Sequence, residues 1–454
     1  MSKNKRTRRE FIAQNATLAA ATALGVVEAP SLGAVAENAK PAILGGEPLE
    51  LDAGPAWPIF VGDEEERLAQ VFRSRQWGRA WNADCIVDQF ENEFAKIMGS
   101  TYGIAVSSGT AALTTALAAL DIGPGDEVIT TPYTYAATYN AVLWHYALPV
   151  FADVDLETFQ VDPKSAATRV TENARALLPV HIGGAPADMD GFLKLGEERD
   201  IPVVEDACQA HLAEWRGKKL GSLGKVGCFS MQITKHLAGG EGGAVITDDA
   251  DFAYRMMEAH SHGYLPHSGA PLEECKGVRA TNSRLTAFQA AIMSAQFPKL
   301  VAEASTRNEN ALYLASLLAE IPGVVPQKIY KQGRSAWHLM MSRIVENEFG
   351  LNADEFVQAM QAEGVPFMRG YRNCDLTGYV RKIFDTRAGR RVYSKKTLDD
   401  WAEATSLPNF ETVGNEGVWL YQSQFLASKK AMDAIADAVR RVRRFAPEIK
   451  KALS

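Results

Sequence analysis

Short β-rich runs alternate with helical stretches between Tyr102 and Thr247, and this alternation restricts the fold more than any other feature of the sequence. Each run is rich in apolar and β-branched residues, and the seven runs cover 103–106, 127–130, 149–154, 176–181, 202–207, 227–231 and 243–247. Strands separated by helices predict an α/β domain with a mostly parallel seven-stranded sheet. The Ala- and Leu-rich segment 110–120 is predicted to be a helix packed on that sheet.

The pattern changes near Arg284, where a long helical stretch begins that Pro298 is expected to break and Pro322 to stop. After it come a strand-like run and two helical patterns, at 337–344, 353–363 and 429–445. A chain of 454 residues commonly forms two or more domains. We therefore predict an N-terminal arm and large domain over 37–310, followed by a small α+β domain over 311–454.

Composition excludes several classes of protein. With 46% hydrophobic and 23% charged residues the chain has the profile of a soluble globular protein. A net charge of -7 offers no basic surface for nucleic acid, and no stretch of the body is long and apolar enough to span a membrane. The five cysteines lack the spacing of a metal site, so no metal is predicted.

The N-terminal residues 1–36 differ from everything after them. Basic residues precede Thr7-Arg8-Arg9-Glu10-Phe11, an Ala-rich and mildly apolar run follows, and Ala34-Val35-Ala36 provides small residues for cleavage. This order is typical of an export signal, and the paired arginines indicate the twin-arginine type. A basic tail or a helix of the fold is the alternative. We predict export to the periplasm, with a cytoplasmic location as the other possibility.

Ser107-Ser108-Gly109-Thr110-Ala111-Ala112 follows an apolar strand and opens a helix. Free backbone N–H groups and the helix dipole make such a junction suitable for an anion, and a glycine lets a phosphate approach the main chain. Many strand-to-helix turns carry Ser and Gly for capping alone, so this motif does not decide between the two roles.

Two further residues follow buried strands and have side chains suited to catalysis. Asp206 ends the apolar strand at 201–204, at the sheet edge where ligands of α/β proteins bind, although it could instead cap the next segment. Lys235 follows the strand at 227–231 and precedes a glycine-rich turn. A partly desolvated lysine there is a candidate for Schiff-base chemistry, whereas a solvated surface lysine is the ordinary alternative.

Six short blocks occur together in one order and spacing. They are Ser108-Gly109-Thr110-Ala111-Ala112-Leu113, Thr131-Pro132-Tyr133-Thr134-Tyr135, Glu205-Asp206-Ala207-Cys208-Gln209, Phe229-Ser230 with Lys235, Gly240-Glu241-Gly242-Gly243, and Asn282-Ser283-Arg284. Together they resemble the DegT/DnrJ/EryC1/StrS aminotransferases, a pyridoxal-phosphate (PLP) family of fold type I from sugar and cyclitol metabolism. The resemblance extends from about Ile43 to the last helix.

The resemblance implies a role for each residue around the cofactor ring. Lys235 would carry PLP covalently as a Schiff base and move the proton between donor carbon and cofactor. Asp206 would keep the pyridine nitrogen protonated, so that the ring acts as an electron sink. Gln209 would lie beside the ring hydroxyl, and Tyr135 would stack on the ring face.

The cofactor phosphate and the oligomer are linked in the same family. Gly109, Thr110 and Ser230 match the positions that hold the phosphate within one subunit. Asn282 matches a residue that reaches the phosphate of the neighbouring subunit. The resemblance therefore implies a homodimer with shared active sites.

The implied reaction is a ping-pong transamination from glutamate or glutamine to a keto-sugar or keto-cyclitol. Gln232 stands where many nucleotide-sugar members carry an aromatic residue, and it resembles members that act on free cyclitols. His181 and Arg284 lie in blocks near the substrate side, but either could be structural.

Two other functions remain open on the sequence. Some relatives are sugar dehydratases with histidine in place of the Schiff-base lysine, and here His236 follows Lys235. The alignment through Thr234 favours Lys235 as the equivalent residue. The second alternative is a non-catalytic binding or regulatory protein on the same scaffold, because a fold does not guarantee a function.

Overall fold

The computed structural model describes residues 39–52, 54–79, 84–263, 275–372 and 374–454. The predicted export signal at 1–36 lies outside these residues. The helices are Glu64–Ser74, Ile86–Met98, Gly109–Ala119, Ala137–Trp144, Pro163–Ala167, Met189–Arg199, Ala250–His260, Ala287–Ala319, Glu346–Phe349, Ala353–Ala362, Leu376–Phe384, Lys395–Ala404, Pro408–Glu416, Lys429–Arg444 and Ala446–Leu453. Short 3₁₀ turns lie at Ala42–Leu44, Ile182–Gly184, Gly389–Arg391 and Gln422–Leu426.

The strands, numbered in chain order, are β1 Tyr102–Val106, β2 Glu127–Thr130, β3 Leu148–Phe151, β4 Ala174–Leu178, β5 Val204–Asp206, β6 Glu214–Trp215, β7 Lys218–Lys219, β8 Val226–Ser230, β9 Gly243–Thr247, β10 Val324–Pro326, β11 Gly333–Arg334, β12 Leu339–Ile344, β13 Met368–Arg369 and β14 Gly417–Tyr421.

The seven predicted strands form the central layer of the large domain. Strands β3, β2 and β4 pair in parallel, and β5, β8, β9 and β1 form a second ladder. Parallel bridges from Leu177 to Val203 and from Val180 to Asp206 join the two ladders across β4 and β5. The sheet order is therefore β3-β2-β4-β5-β8-β9-β1, in which β9 runs antiparallel to both neighbours. The predicted mostly parallel α/β sheet is confirmed.

The helix Gly109–Ala119 packs directly on this sheet, as predicted from its Ala-rich sequence. Ala112 and Ala116 are fully buried, and small side chains of this kind let the helix approach the strands closely. The helix begins at the carboxyl end of β1 because Ser108 is extended and its side chain accepts a hydrogen bond from the Ala111 amide. The first helical turn therefore points toward the edge where the parallel strands end.

Pro298 does not break the long helix, contrary to the prediction. Ala287–Ala319 runs through it without interruption. A proline inside a helix removes one backbone hydrogen bond, but the neighbouring Phe297 and Leu300 are each almost fully buried. Burial of these two large side chains outweighs the cost of a proline inside the helix.

The C-terminal part contains a second, antiparallel sheet with the order β10-β12-β14-β13. The helix Lys429–Arg444 and the end of the long helix, with Ala311, Leu314 and Leu318, contribute to its core. The first described residues also pack there, through Ile43 and Leu49. The predicted division at residue 310 falls within the long helix, and the domain boundary stays a prediction.

Across the described ranges, no helix combines the length and the apolar character needed to cross a membrane.

Candidate active site

A cavity of about 710 Å³ lies beyond the carboxyl ends of β1, β2, β5 and β8 and is closed on its other side by residues of the C-terminal sheet. It is lined by Ser108, Gly109, Thr110, Leu113, Thr134, Tyr135, Ala137, Thr138, Val180, Asp206, Cys208, Gln209, Ser230, Gln232, Thr234, Lys235, Glu241, His338, Leu339, Arg369, Gly370, Tyr371, Arg372, Trp419 and Tyr421. Ligands of α/β sheets bind at this edge. The structure thus brings seven of the eight predicted site residues together.

The β1-to-helix junction forms one end of the cavity. The Ser108 hydroxyl accepts the Ala111 amide at 3.1 Å, so this serine does cap the helix. The amides of the first turn have no acceptor within the helix, and Gly109 and Thr110 of that turn line the cavity. Capping and anion binding are therefore compatible at this junction, because different groups serve each.

A glycine is required at residue 109 because the start of the helix lies close to the residues at the carboxyl ends of β5 and β8. A Cβ atom at this position would lie 2.6 Å from Ser230 Cβ and 3.0 Å from Cys208 Sγ. Neither distance is tolerated between real side chains without a shift. The absence of a side chain at residue 109 keeps the helix N-terminus against Ser230.

The Asp206 carboxylate is held by two donors. Thr138 donates from Oγ1 to Oδ2 at 2.8 Å, and the Cys208 amide donates to Oδ1 at 3.2 Å. Asp206 is almost fully buried yet lines the cavity. Its partners fix the orientation of a negative charge that can interact with a positively charged group of a ligand.

Lys235 reaches the cavity from the loop after β8. Its Nζ lies 3.3 Å from Nε2 of His338, which comes from the opposite, C-terminal wall. Burial lowers the pKa of the Lys235 amine, although the nearby Cys208 and Asp206 oppose this effect. A lowered pKa makes the uncharged, nucleophilic amine more accessible near neutral pH.

Gln209 connects the two walls of the cavity. Its Oε1 accepts the Gly183 amide at 2.8 Å, and its Nε2 donates to the Tyr371 hydroxyl at 3.1 Å. The side chain is thereby fixed with little rotational freedom. Burial raises the pKa of the Tyr371 hydroxyl, which therefore stays protonated.

The remaining predicted residues differ in their positions. Ser230 is buried at the cavity wall, and Tyr135 lines the cavity with 66% of its surface exposed. Asn282 does not line the cavity of the single chain; it is exposed and forms a backbone bridge with Ser261.

His181 and Arg284 occupy structural positions, so the substrate-side interpretation of these two residues is not supported. His181 is fully buried, with Nε2 at 3.0 Å from Oε2 of Glu205. Glu205 also accepts the amides of Gly221, Leu223 and Gly224. Arg284 donates to the Ser261 hydroxyl at 3.0 Å. Neither residue lines the cavity.

Several cavity residues were not predicted from the sequence. They come from the C-terminal domain or from a helix, and the main ones are Thr138, His338, Arg369, Tyr371, Trp419 and Tyr421. None lies in a glycine-rich turn or directly after a strand of the large sheet. Arg372, which opens a polar and arginine-rich part of the sequence, also lines the cavity.

The fold and the cavity define a PLP-dependent transferase of fold type I. Residues 61–419 match the model of the DegT/DnrJ/EryC1/StrS aminotransferase family, and the chain belongs to this family. It is a PLP-dependent aminotransferase.

Relatives match most of the chain. The 3-amino-5-hydroxybenzoate synthase of Amycolatopsis mediterranei (strain S699) is 33% identical over 399 residues, which cover 85% of this chain and 97% of the relative. The L-glutamine:2-deoxy-scyllo-inosose aminotransferase of Streptomyces fradiae is 40% identical over 295 residues, 63% of this chain and 69% of the relative. A crystal structure of 3-amino-5-hydroxybenzoic acid synthase superposes with a TM-score of 0.74 at 30% identity, covering 87% of this chain and all of that one.

The residues present fit the cofactor. The Lys235 amine suits the aldehyde of PLP, the fixed Asp206 carboxylate suits its protonated ring nitrogen, and the helix N-terminus suits its phosphate. All three groups line one cavity. Gly109 has no side chain, so the first helical turn and Ser230 lie close together at the phosphate end of the cavity. Within the described residues, no group of three or more metal-ligating side chains is arranged to hold an ion.

Proposed function

We propose that this enzyme transfers the amino group of glutamine or glutamate to a keto-cyclitol or keto-sugar by a ping-pong reaction. The observation that carries the proposal is the position of Lys235, a partly desolvated amine in the same cavity as the fixed Asp206 carboxylate. The names of the relatives support the substrate class, because the Streptomyces fradiae relative is an L-glutamine:2-deoxy-scyllo-inosose aminotransferase.

Bound PLP would supply an electron sink that stabilises negative charge on the substrate carbon. Lys235 would hold the cofactor covalently and, once released, take the proton from that carbon at Nζ and deliver it to the cofactor. The lowered pKa of Lys235 suits this role because the uncharged amine is the base. Asp206 would pair with the protonated ring nitrogen, while Thr138 keeps the carboxylate oriented.

The other predicted residues would position the cofactor without moving protons. Gly109 and Thr110 would donate backbone N–H groups to the phosphate, and the Ser230 hydroxyl would donate a further hydrogen bond. Tyr135 would lie on the ring face. Gln209 would lie beside the ring hydroxyl, in the orientation that Tyr371 fixes.

We propose a free cyclitol or sugar ketone as acceptor. Gln232 lines the cavity, and its Oε1 is already occupied by the amide and hydroxyl of Thr234 at 2.9 and 2.7 Å. Its amide Nε2–H groups therefore remain as donors for the hydroxyl groups of an acceptor. Parallel assays with 2-deoxy-scyllo-inosose and with a nucleotide-linked keto-sugar would separate the two acceptor types.

The dehydratase alternative requires a histidine in place of the Schiff-base lysine, and the position of His236 does not favour it. Lys235 lines the cavity, whereas His236 is buried outside its lining, with Nε2 at 3.0 Å from the Ala336 carbonyl. The histidine is therefore already bound to the backbone, and the lysine is the group available to a ligand.

The proposed reaction is tested by the absorbance spectrum of the purified, PLP-reconstituted enzyme. We expect a visible band that moves to shorter wavelength when glutamine or glutamate is added, and its return when the ketone follows. Lys235→Ala should lack the borohydride-reducible link to the cofactor. A wild-type enzyme without a visible band, or a spectrum unchanged by both donors, would contradict the proposal.

We further propose a homodimer in which Asn282 completes the partner's phosphate site. Its exposure in the single chain leaves it available for such a contact. Mixed dimers of Lys235→Ala and Asn282→Ala subunits test this. If Asn282 acts across the interface, one site of each mixed dimer is intact and activity returns; if it acts within its own subunit, both sites stay defective.

We also propose export by the twin-arginine route, on the basis of Arg8-Arg9 and the order of the segments that follow. This route carries folded proteins, which suits an enzyme that binds its cofactor before export. The test is fractionation of cells that express the wild type or the Arg8→Lys, Arg9→Lys variant. An unchanged distribution between compartments would exclude the signal.

A further inference from the structure

His338 contacts Lys235 across the cavity, with 3.3 Å between Nε2 and Nζ. The two residues belong to different walls, because Lys235 follows β8 of the large sheet and His338 precedes β12 of the C-terminal sheet. The proposed reaction needs only the amine. The histidine therefore requires a separate explanation.

The imidazole of His338 is held in one orientation. It is 2% exposed, and its ring packs edge-on against His236 at 5.6 Å and Tyr421 at 6.1 Å between centroids. Its backbone carbonyl accepts the Gln422 amide at 3.1 Å. A ring fixed on these sides presents Nε2 to Lys235 without rotational freedom.

The surroundings keep this imidazole uncharged. Burial is the main cause that holds the pKa of His338 well below its ordinary value, and Lys235, His211 and Arg307 add to it. His236 faces it as a further neutral ring, and its own pKa is also well below the ordinary value because of burial. Asp206 and Cys208 oppose the lowered pKa of Lys235, and neither is among the groups that shift the pKa of His338.

A neutral imidazole carries one proton, and the neighbours of each nitrogen determine which nitrogen holds it. Among the described residues, Nδ1 of His338 has no hydrogen-bond partner. A proton on Nδ1 would be a buried donor without an acceptor, which is costlier than an unpaired lone pair. The proton therefore belongs on Nε2. The N–H group there can donate a hydrogen bond to the nearby Nζ only if the lysine amine is uncharged and has a free lone pair.

We propose that His338 is a positioning residue that donates its Nε2–H to Lys235 and holds the free side chain as an uncharged amine. This inference rests on the proposed function, in which Lys235 must be uncharged to remove a proton. It adds a residue of the C-terminal domain to the machinery that prepares the base. An imidazole that instead accepted a hydrogen bond from the ammonium group would have the opposite effect.

The sign of a pKa shift distinguishes these two cases. The full-length, PLP-loaded enzyme would be labelled with [ε-¹³C]lysine and treated with the amino donor to free Lys235, and its NMR signal would be assigned by its loss in Lys235→Arg. In His338→Phe, which retains a ring between His236 and Tyr421, we expect the titration of this signal to move up by roughly one pH unit, the equivalent of one lost hydrogen bond.

The matched control is His211→Phe. His211 is also a buried imidazole near Lys235, but its two nitrogens have no hydrogen-bond partner among the described residues. Its replacement should leave the titration nearly unchanged. If His338→Phe does not fold, His338→Leu removes the same donor and is measured in the same way.

An unchanged or lowered pKa of Lys235 in the His338 variants would overturn the inference. The same titration on the cofactor-free enzyme gives the answer even if no donor is accepted. Failure of the proposed function would instead appear in the wild type, as a cofactor spectrum that neither donor changes. The two outcomes are therefore distinguishable.

Discussion

Thr138 donates a hydrogen bond to Asp206 across the base of the cavity, with 2.8 Å between Oγ1 and Oδ2. The threonine lies in the helix Ala137–Trp144, and the aspartate ends β5. The Thr138 hydroxyl also lies 2.8 Å from that of Thr134. The orientation of the carboxylate thus depends on a helix that the sequence did not mark as functional.

Thr138→Val should lower the rate of the donor half-reaction about tenfold, because a hydrogen bond to a charged group contributes about 1.4 kcal/mol or more. Stopped-flow absorbance of the bound cofactor measures this rate. The control is Thr412→Val, which changes a partly exposed threonine that is bonded to the Pro408 carbonyl and does not line the cavity. Equal rates in the two variants would show that Thr138 does not orient Asp206.

Gly109→Ala should weaken cofactor binding at least about tenfold, since the new methyl group must displace Ser230 or Cys208. The measurement is the dissociation constant of PLP by titration of the cofactor-free enzyme. Gly78→Ala is the control, because a Cβ there meets no described atom within 4 Å. Unchanged PLP affinity in Gly109→Ala would exclude the phosphate site at this junction.

Glu205→Gln should reduce the free energy of unfolding by about 3 kcal/mol, because the buried carboxylate accepts three backbone amides and pairs with His181. Denaturant unfolding measures the change. Turnover per cofactor-bound molecule should stay close to that of the wild type. Glu198→Gln, at an exposed pair with Lys194, should cost less than about 0.5 kcal/mol. A large loss of turnover with intact stability would instead make this cluster part of the active site.

Lys235→Met should stabilise the cofactor-free protein at neutral pH. Burial lowers the pKa of this amine from its ordinary 10.5, so the unfolded chain binds the proton more tightly than the folded protein. The charged amine therefore costs stability at pH values below its lowered pKa, and this cost falls as the pH rises toward 10.5. The stability difference between variant and wild type, measured by unfolding at several pH values, should shrink over that window. A difference that grew with pH would contradict the lowered pKa.

The large sheet could be predicted because its strands are short apolar runs that end at polar or glycine-rich turns. The same property identified the cavity residues that follow those strands, such as Asp206 and Lys235, since ligand sites of such sheets lie there. The blocks around them are contiguous in sequence, so each could be recognised without knowledge of the fold.

The opposite wall could not be predicted in this way. His338 is 103 positions from Lys235 in the sequence, and nothing in its local pattern indicates the contact. Tyr371 and Tyr421 likewise read as ordinary aromatic residues until the C-terminal sheet places them at the cavity. Only the packing of the two sheets determines these contacts.

Local sequence gave a wrong prediction at Pro298 and left the role of His181 undecided, for a common reason. Pro298 was expected to break the long helix, and His181 was left open between a substrate contact and a structural residue. A short segment of sequence does not show which buried residues it will contact in the fold. The burial of Phe297 and Leu300 keeps the helix intact around Pro298, and the buried Glu205 pairs with His181.

The uninterrupted helix Ala287–Ala319 has a thermodynamic consequence. Its first half packs in the core of the large domain, with Phe297 and Leu300, and its second half in the C-terminal core, with Leu314 and Leu318. Because helix formation is cooperative, melting of either core and unwinding of its half of the helix would weaken the half that packs in the other core. The two halves of the molecule therefore lose their structure together, and a stabilising change in one also protects the other.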